Sequence, residues 1–141
     1  AIIILCPVYP IRTFRHVENI LKCYLNEGNQ RPMIGLKTPT THPYLCYERD
    51  GKGYVNTAMN IDENIFYRHQ RYPEYYELTF WACVVPVSSV KHLNARMICS
   101  DSYGYIIPAH VPFVNIDTPL DFEFAEFLMQ KVKSGKIKID D

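Results

Sequence analysis

The chain of 141 residues has no apolar run long enough to cross a bilayer. Its opening stretch, AIIILCPVYPI, is too short to span and is broken by prolines, so no membrane partner is expected. It has no excess of one charge either. The 15 basic and 15 acidic side chains cancel, and the basic footprint that nucleic acid or an anionic membrane surface attracts is missing. There is no C-x-x-C pair. The five cysteines (Cys6, Cys23, Cys46, Cys83, Cys99) are odd in number, which argues against a disulfide framework and against a zinc site. Most sit in apolar segments, where cysteine behaves as a small hydrophobe, so a reducing, cytoplasmic compartment is expected. No Walker loop, G-x-G-x-x-G or G-x-S-x-G occurs. An initiator methionine is also absent, and the chain starts inside an apolar run. That start reads as the C-terminal portion of a longer protein.

What is present suffices for one domain with a real core: 48% of the residues are apolar. The continuous apolar run 2–5 reads as a strand buried on both faces, as in the middle of a parallel sheet. Pro7 and Pro10 stiffen the loop after it. Thr13 is placed to cap a helix that runs to about Asn26 and closes at Gly28, with Val17, Ile20, Leu21 and Tyr24 at helical spacing. A second strand at 32–37 completes a strand–helix–strand unit, for which a parallel sheet is expected. The turn signal Asp50-Gly51-Lys52-Gly53 predicts a hairpin between 44–47 and 53–57. Residues 78–85 (LTFWACVV) read as another buried strand, 87–93 as a short helix, and 105–107 and 113–116 as short strands. The last helix has Thr118 as cap, Pro119 at its first position and Asp121 three residues past the cap, and Gly135 stops it. Leu120, Phe124, Phe127 and Leu128 form its expected apolar stripe. Of 11 tyrosines, several cluster in 67–76, which suits a contact surface or a sugar-facing wall.

Ligands of open α/β sheets sit beyond the carboxyl ends of the strands. Asp117 lies at such an end, and a carboxylate there can hold magnesium together with phosphate oxygens, or simply help cap the helix. Arg12 follows the first strand and can bind a carboxylate or phosphate, or point into solvent. His42 and Tyr44, in a Thr/Pro-rich loop, can contact a sugar or merely be exposed. Arg68, His69, Gln70 and Arg71 form a partly cationic cluster that suits an anionic sugar or a solvated face.

Three segments in this order resemble the C-terminal part of the acylneuraminate cytidylyltransferase (CMP-sialic acid synthetase) family. They are Leu5-Cys6-Pro7-Val8-Tyr9-Pro10-Ile11-Arg12, Arg68-His69-Gln70 and Asn115-Ile116-Asp117-Thr118-Pro119-Leu120-Asp121. The resemblance implies a mostly parallel, Rossmann-like α/β nucleotidyltransferase sheet, with residues 1–141 as part of one domain and a β-hairpin dimerisation insertion near 44–76. It implies a reaction in which an acidic nonulosonic sugar attacks the α-phosphorus of CTP, giving a CMP-sugar and pyrophosphate with Mg2+ (or Mn2+) as cofactor. It places Asp117 and Asn115 at the metal, Asp117 and Arg12 in catalysis, and Arg12, His42, Tyr44, Arg68 and Gln70 around the sugar. A homodimer is implied as well. The chain departs from the family pattern in four ways. Asn115 stands for the first aspartate of the metal pair. Cys6, Val8 and Tyr9 replace polar loop residues. Thr79-Phe80 stands where Asn-Gly is usual. The half that grips the CTP phosphates is absent, so this chain alone is not expected to be a competent transferase. The alternatives are a nucleotidyltransferase for another sugar and a degenerate homologue that acts as a binding or dimerising module.

Overall fold

The structure is a computed structural model and describes residues 1–61 and 68–139. Tyr67, one of the clustered tyrosines, lies outside the described residues. In chain order the elements are β1 (Ile2–Ile4), α1 (Phe14–Asn26), β2 (Met33–Lys37), β3 (Tyr47–Arg49), β4 (Val55–Thr57), β5 (Glu77–Val85), β6 (Tyr103–Ile106) and α2 (Pro119–Lys133). Single 3-10 turns form at Pro43–Leu45 and His69–Arg71, and a longer one at Val87–His92 where a short helix is expected. The chain divides into two compact units, one of residues 1–37 and 78–141 and one of residues 38–77. The insertion expected near 44–76 falls within the second. Among the described residues no helix is long and apolar enough to cross a membrane.

The first unit holds a four-stranded sheet of order β1-β5-β2-β6. It is mixed, which overturns the expected mostly parallel, Rossmann-like sheet: β1 runs antiparallel to β5, with Ile4 opposite Cys83, and β2 runs parallel to β6, with Leu36 opposite Ile106. The strand–helix–strand unit makes β1 and β2 look like neighbours, yet β5 lies between them. The reason is burial. β5 is the longest strand, and Trp81, Ala82, Cys83, Val84 and Val85 are each 1% exposed or less, so it takes a central place. An apolar run reports how deeply a strand is buried and says nothing of its direction. β1 stands at the edge, and Ile2, Ile3 and Leu5 are 45%, 41% and 40% exposed, so it is not buried on both faces.

α1 begins as expected. Thr13 caps it, and its hydroxyl oxygen accepts from the His16 N–H at 3.4 Å. The helix buries His16, Ile20 and Tyr24 at four-residue spacing, with Ile20 and Tyr24 in one cluster with Met33, Trp81, Val84 and Ile107. Each fully buried aliphatic side chain contributes about 1.5–3 kcal/mol. α2 begins at Thr118 as expected, but of its expected stripe only Leu128 is buried. Ala125 and Leu128 pack with Ile11, Val114 and Ile139, while Leu120, Phe124 and Phe127 of the expected stripe are exposed. Residues 113–116 are irregular instead of forming a strand, and the strand expected at 105–107 spans Tyr103–Ile106.

In the second unit β3 and β4 pair antiparallel, Glu48 opposite Asn56. The Asp50 carboxylate closes the turn by accepting the N–H groups of Lys52 and Tyr54, each at 2.9 Å. Gly53 supplies the left-handed residue, φ 99°.

Gly35 of β2 shows how closely β2 and β5 lie. A Cβ there would sit 3.1 Å from Thr79 Oγ1 and 3.3 Å from the Ala82 carbonyl oxygen. Gly35→Ala is expected to cost about 1–3 kcal/mol through overpacking, read as a lower urea midpoint. An unchanged midpoint would mean that the two strands are farther apart than this.

Candidate functional site

The loop after β1 and the segment after β6 meet. The Ile116 N–H donates to the Val8 carbonyl at 3.0 Å, and the rings of Tyr9 and Phe113 lie 5.0 Å apart. Because β2 and β6 are parallel, Lys37 at the end of β2 shares their carboxyl edge. Its Nζ lies 4.8 Å from the Phe113 ring centroid, a cation–π contact. Lys37 was not marked by the sequence. The available signal was a lysine that ends an apolar strand just before a Thr/Pro loop.

The geometry separates the two readings of Asp117. Thr118 and Asp121 form a capping box: Thr118 Oγ1 accepts the Asp121 N–H at 3.3 Å, and Asp121 Oδ2 accepts the Thr118 N–H at 2.8 Å, the Thr118 hydroxyl at 2.8 Å and the Asp117 N–H at 3.1 Å. These bonds hold the Asp121 carboxyl below its ordinary pKa, the Thr118 hydroxyl first among the causes. The Asp117 carboxylate is therefore not the capping group. It is exposed and accepts from the Asn115 side-chain amide at 2.5 Å, so the two sequence-predicted metal residues are brought together.

Arg12 is placed differently from the expectation of a ligand-facing guanidinium. Its Nη1 donates to the Cys6 carbonyl at 3.1 Å and to the Trp81 carbonyl. Partial burial lowers its pKa. It pins the two ends of the loop to each other and to β5, and so acts as a loop clasp. Pairing of a guanidinium with main-chain carbonyls leaves no trace in a sequence.

The remaining candidates lie in the second unit. His42 uses both ring nitrogens: Nδ1 accepts the Tyr44 N–H at 3.2 Å, and Nε2 donates to the Pro73 carbonyl at 3.0 Å. Its ring lies 4.5 Å from Tyr72, 5.0 Å from Tyr44 and 5.3 Å from Tyr75, so His42 and Tyr44 form one aromatic cluster. A cleft of about 480 Å³ opens beside it, lined by His42, Leu45, Tyr72, Tyr75, Tyr76 and Glu74 among others. The charged lining residue is Glu74, which accepts from the Tyr76 hydroxyl at 2.9 Å. Arg68 and Gln70 are exposed and do not line this cleft. Its charge disfavours an anionic ligand.

The donor set sets what a metal can do here. Asp117 offers one carboxylate, and Asn115 offers one neutral oxygen only when its amide turns over and gives up its bond to Asp117. Magnesium commonly takes one or two protein carboxylates and completes its shell with phosphate oxygens and water, so the pair fits as a partial shell. Among the described residues no group of three His, Cys, Asp or Glu side chains is placed to hold a metal unaided. Burial pushes the Cys83 thiol up to about 11, which makes this cysteine a poor nucleophile.

The Asp121 cap gives a pH test. A carboxyl whose pKa is depressed by folding stabilises the fold above its unfolded pKa, and that stability is lost as pH falls through the folded value. A carboxyl-carbon NMR titration is expected to place the Asp121 midpoint below its ordinary 3.8. Thr118→Val, which removes the largest cause, is expected to raise that midpoint and cost about 1 kcal/mol of helix capping. A midpoint that does not move would remove Thr118 from the cap. In comparison with known proteins, no family model matches the chain and no match is found among curated proteins.

Proposed function

We propose that the chain is the metal- and sugar-binding portion of a cytidylyltransferase of the acylneuraminate kind. The parent protein joins CTP and an acidic nonulosonic sugar into a CMP-sugar, releasing pyrophosphate and a proton. One observation carries the reading. The Asp117 carboxylate is spared from the helix cap, faces Asn115 and stands in the segment bonded to the loop after β1.

In this reading Asp117, with Asn115 as a neutral partner, holds magnesium, which when bound neutralises charge on the reacting phosphate. Lys37 brings a positive charge to the same edge and suits the sugar carboxylate. Arg12 fixes the loop shape through Cys6 and Trp81, so its part in the reaction is positioning. The sugar need not be sialic acid itself. Val8 and Tyr9 meet Ile116 and Phe113 through a carbonyl and a ring, which leaves an apolar loop face that favours a differently decorated sugar. The five free cysteines suit a cytoplasmic setting.

A second reading, a dimerising module, has its own support in the hairpin. All six residues of β3 and β4 are exposed, and next to them Tyr54 is 69% exposed. An isolated two-stranded ribbon is marginal in water, and tyrosine is enriched at interfaces, so a second copy is the partner this surface suits.

The test uses the full-length protein with CTP, magnesium and a panel of nonulosonic acids, reading pyrophosphate release. Asp117→Ala is expected to lower turnover about 10²–10³-fold, as removal of a group that stabilises transition-state charge does. Asn115→Asp is expected to tighten magnesium binding. Undiminished turnover in Asp117→Ala would end the metal assignment. Absence of turnover in the parent protein, with a dimer that Tyr54→Lys dissociates, would favour the module.

A further inference from the structure

Two features are used by neither reading: the buried histidine of α1 and the segment after α2. The chain turns back after α2 through Gly135, φ 70°, with the N–H groups of Lys136 and Ile137 donating to the Lys131 carbonyl at 2.9 and 3.2 Å. Residues 135–139 then run back as a strap. Ile139 is buried, at 7% exposure, against Ile11, Val114, Ala125 and Leu128. Its carbonyl accepts from His16 Nε2 at 2.7 Å.

His16 is 4% exposed and stands at the start of α1. Its Nδ1 accepts the Thr13 N–H at 3.1 Å, so the ring proton is on Nε2, directed to Ile139. The ring packs 5.4 Å from the Trp81 ring. Trp81 in turn holds the loop after β1 twice: its indole N–H donates to the Ile11 carbonyl at 3.2 Å, and its own carbonyl accepts from Arg12. The side chain of Ile11 shares the cluster that seats Ile139. Strap and loop are thus joined by two routes, one polar through His16 and Trp81, one apolar through Ile11.

We propose that residues 135–139 are a docking strap whose seating on His16 sets the order of loop 6–12, so that strap release loosens this loop without unfolding the sheet. Strap release breaks the bond from His16 Nε2–H to the Ile139 carbonyl and opens the seat of Ile11. Both changes bear on the loop whose Cys6 carbonyl Arg12 clasps. The consequence for substrate rests on the reading that this loop faces the sugar. The coupling of strap to loop does not, and the experiment reads only the coupling.

The cysteines provide the probes. Cys6 lies in the loop, Cys83 is buried in β5, and Cys46 is exposed in the second unit. N-ethylmaleimide labelling of the native chain, resolved by peptide mass spectrometry, reports all three at once. The single tryptophan, Trp81, reports the latch by its emission. Ile139→Asp and His16→Phe are each expected to speed Cys6 labelling about tenfold, the change that loss of one net hydrogen bond gives. The double variant is expected to be no faster than either single one, because both break one unit. Cys46 should hold its rate and Cys83 should remain slow. His16→Gln, which keeps an amide donor toward Ile139, should stay within about twofold of the parent. Ile139→Ala tests the same seat should an aspartate at 139 prevent folding. The proposal is overturned if Trp81 emission shifts in Ile139→Asp while Cys6 keeps its rate. It is overturned equally if Cys6 and Cys83 accelerate together, which would make the strap an ordinary part of the core.

Discussion

The burial of Trp81 in the middle of β5 is the constraint on which the first unit depends. An indole placed there at 1% exposure must find an acceptor for its N–H, and the acceptor is the Ile11 carbonyl. A carbonyl of β5 at the same residue also stays available to the Arg12 guanidinium. One residue therefore fixes both the side chain and the main chain of the loop that leaves β1. The ring packs against that of His16, which sets the entry of α1. Loop, helix and sheet meet through a single buried aromatic group whose polar atom is satisfied. Without that satisfied N–H the site would carry a desolvation penalty of about 1–3 kcal/mol.

The helix starts were legible because their chemistry is local. Thr13, Thr118, Pro119 and Asp121 each act within three residues of where they stand, and no tertiary contact is needed to read them. The faces of the helices were less legible. α2 has phenylalanine at 122, 124 and 127, so apolar residues surround it and no single stripe stands out. Ala125 and Leu128 take the buried positions, and the large rings remain outside. His16 escaped notice for a related reason. A histidine at the third helical position fills the capping role usually given to glutamate or glutamine, and a polar residue there reads as solvent-facing.

The sheet was legible in content and illegible in order. Residues 33–37 and 78–85 were readable as strands from composition, but the pairing of β1 with β5 joins residues about eighty positions apart, and no periodicity encodes it. The same limit applies to the site. Asp117 could be marked by its place between an extended segment and a cap. Whether its carboxylate served the helix depended on Asp121, which can make the same bonds, and only geometry decides between two carboxylates four residues apart. Lys37 and the clasp formed by Arg12 are contacts between distant segments, which a linear reading cannot supply.

Charge then separates the roles of the two units, each taken by itself. In the second unit the aromatic cleft carries Glu74, and an anionic sugar brought there would meet a carboxylate among rings, where repulsion is weakly screened. In the first unit Lys37 lies over the Phe113 ring, two residues before Asn115, whose amide meets the Asp117 carboxylate. An acidic sugar that must approach a metal-bound phosphate needs both, a cation for its carboxylate and an oxygen pair for the metal. For the proposed reaction, Lys37 and the Asn115–Asp117 pair are the groups of the first unit that suit this requirement. In the proposed reading, an asparagine at 115 in place of a carboxylate lowers the negative charge that an anionic substrate would face and weakens the hold on a metal, so that metal binding would depend on the phosphate that arrives with it.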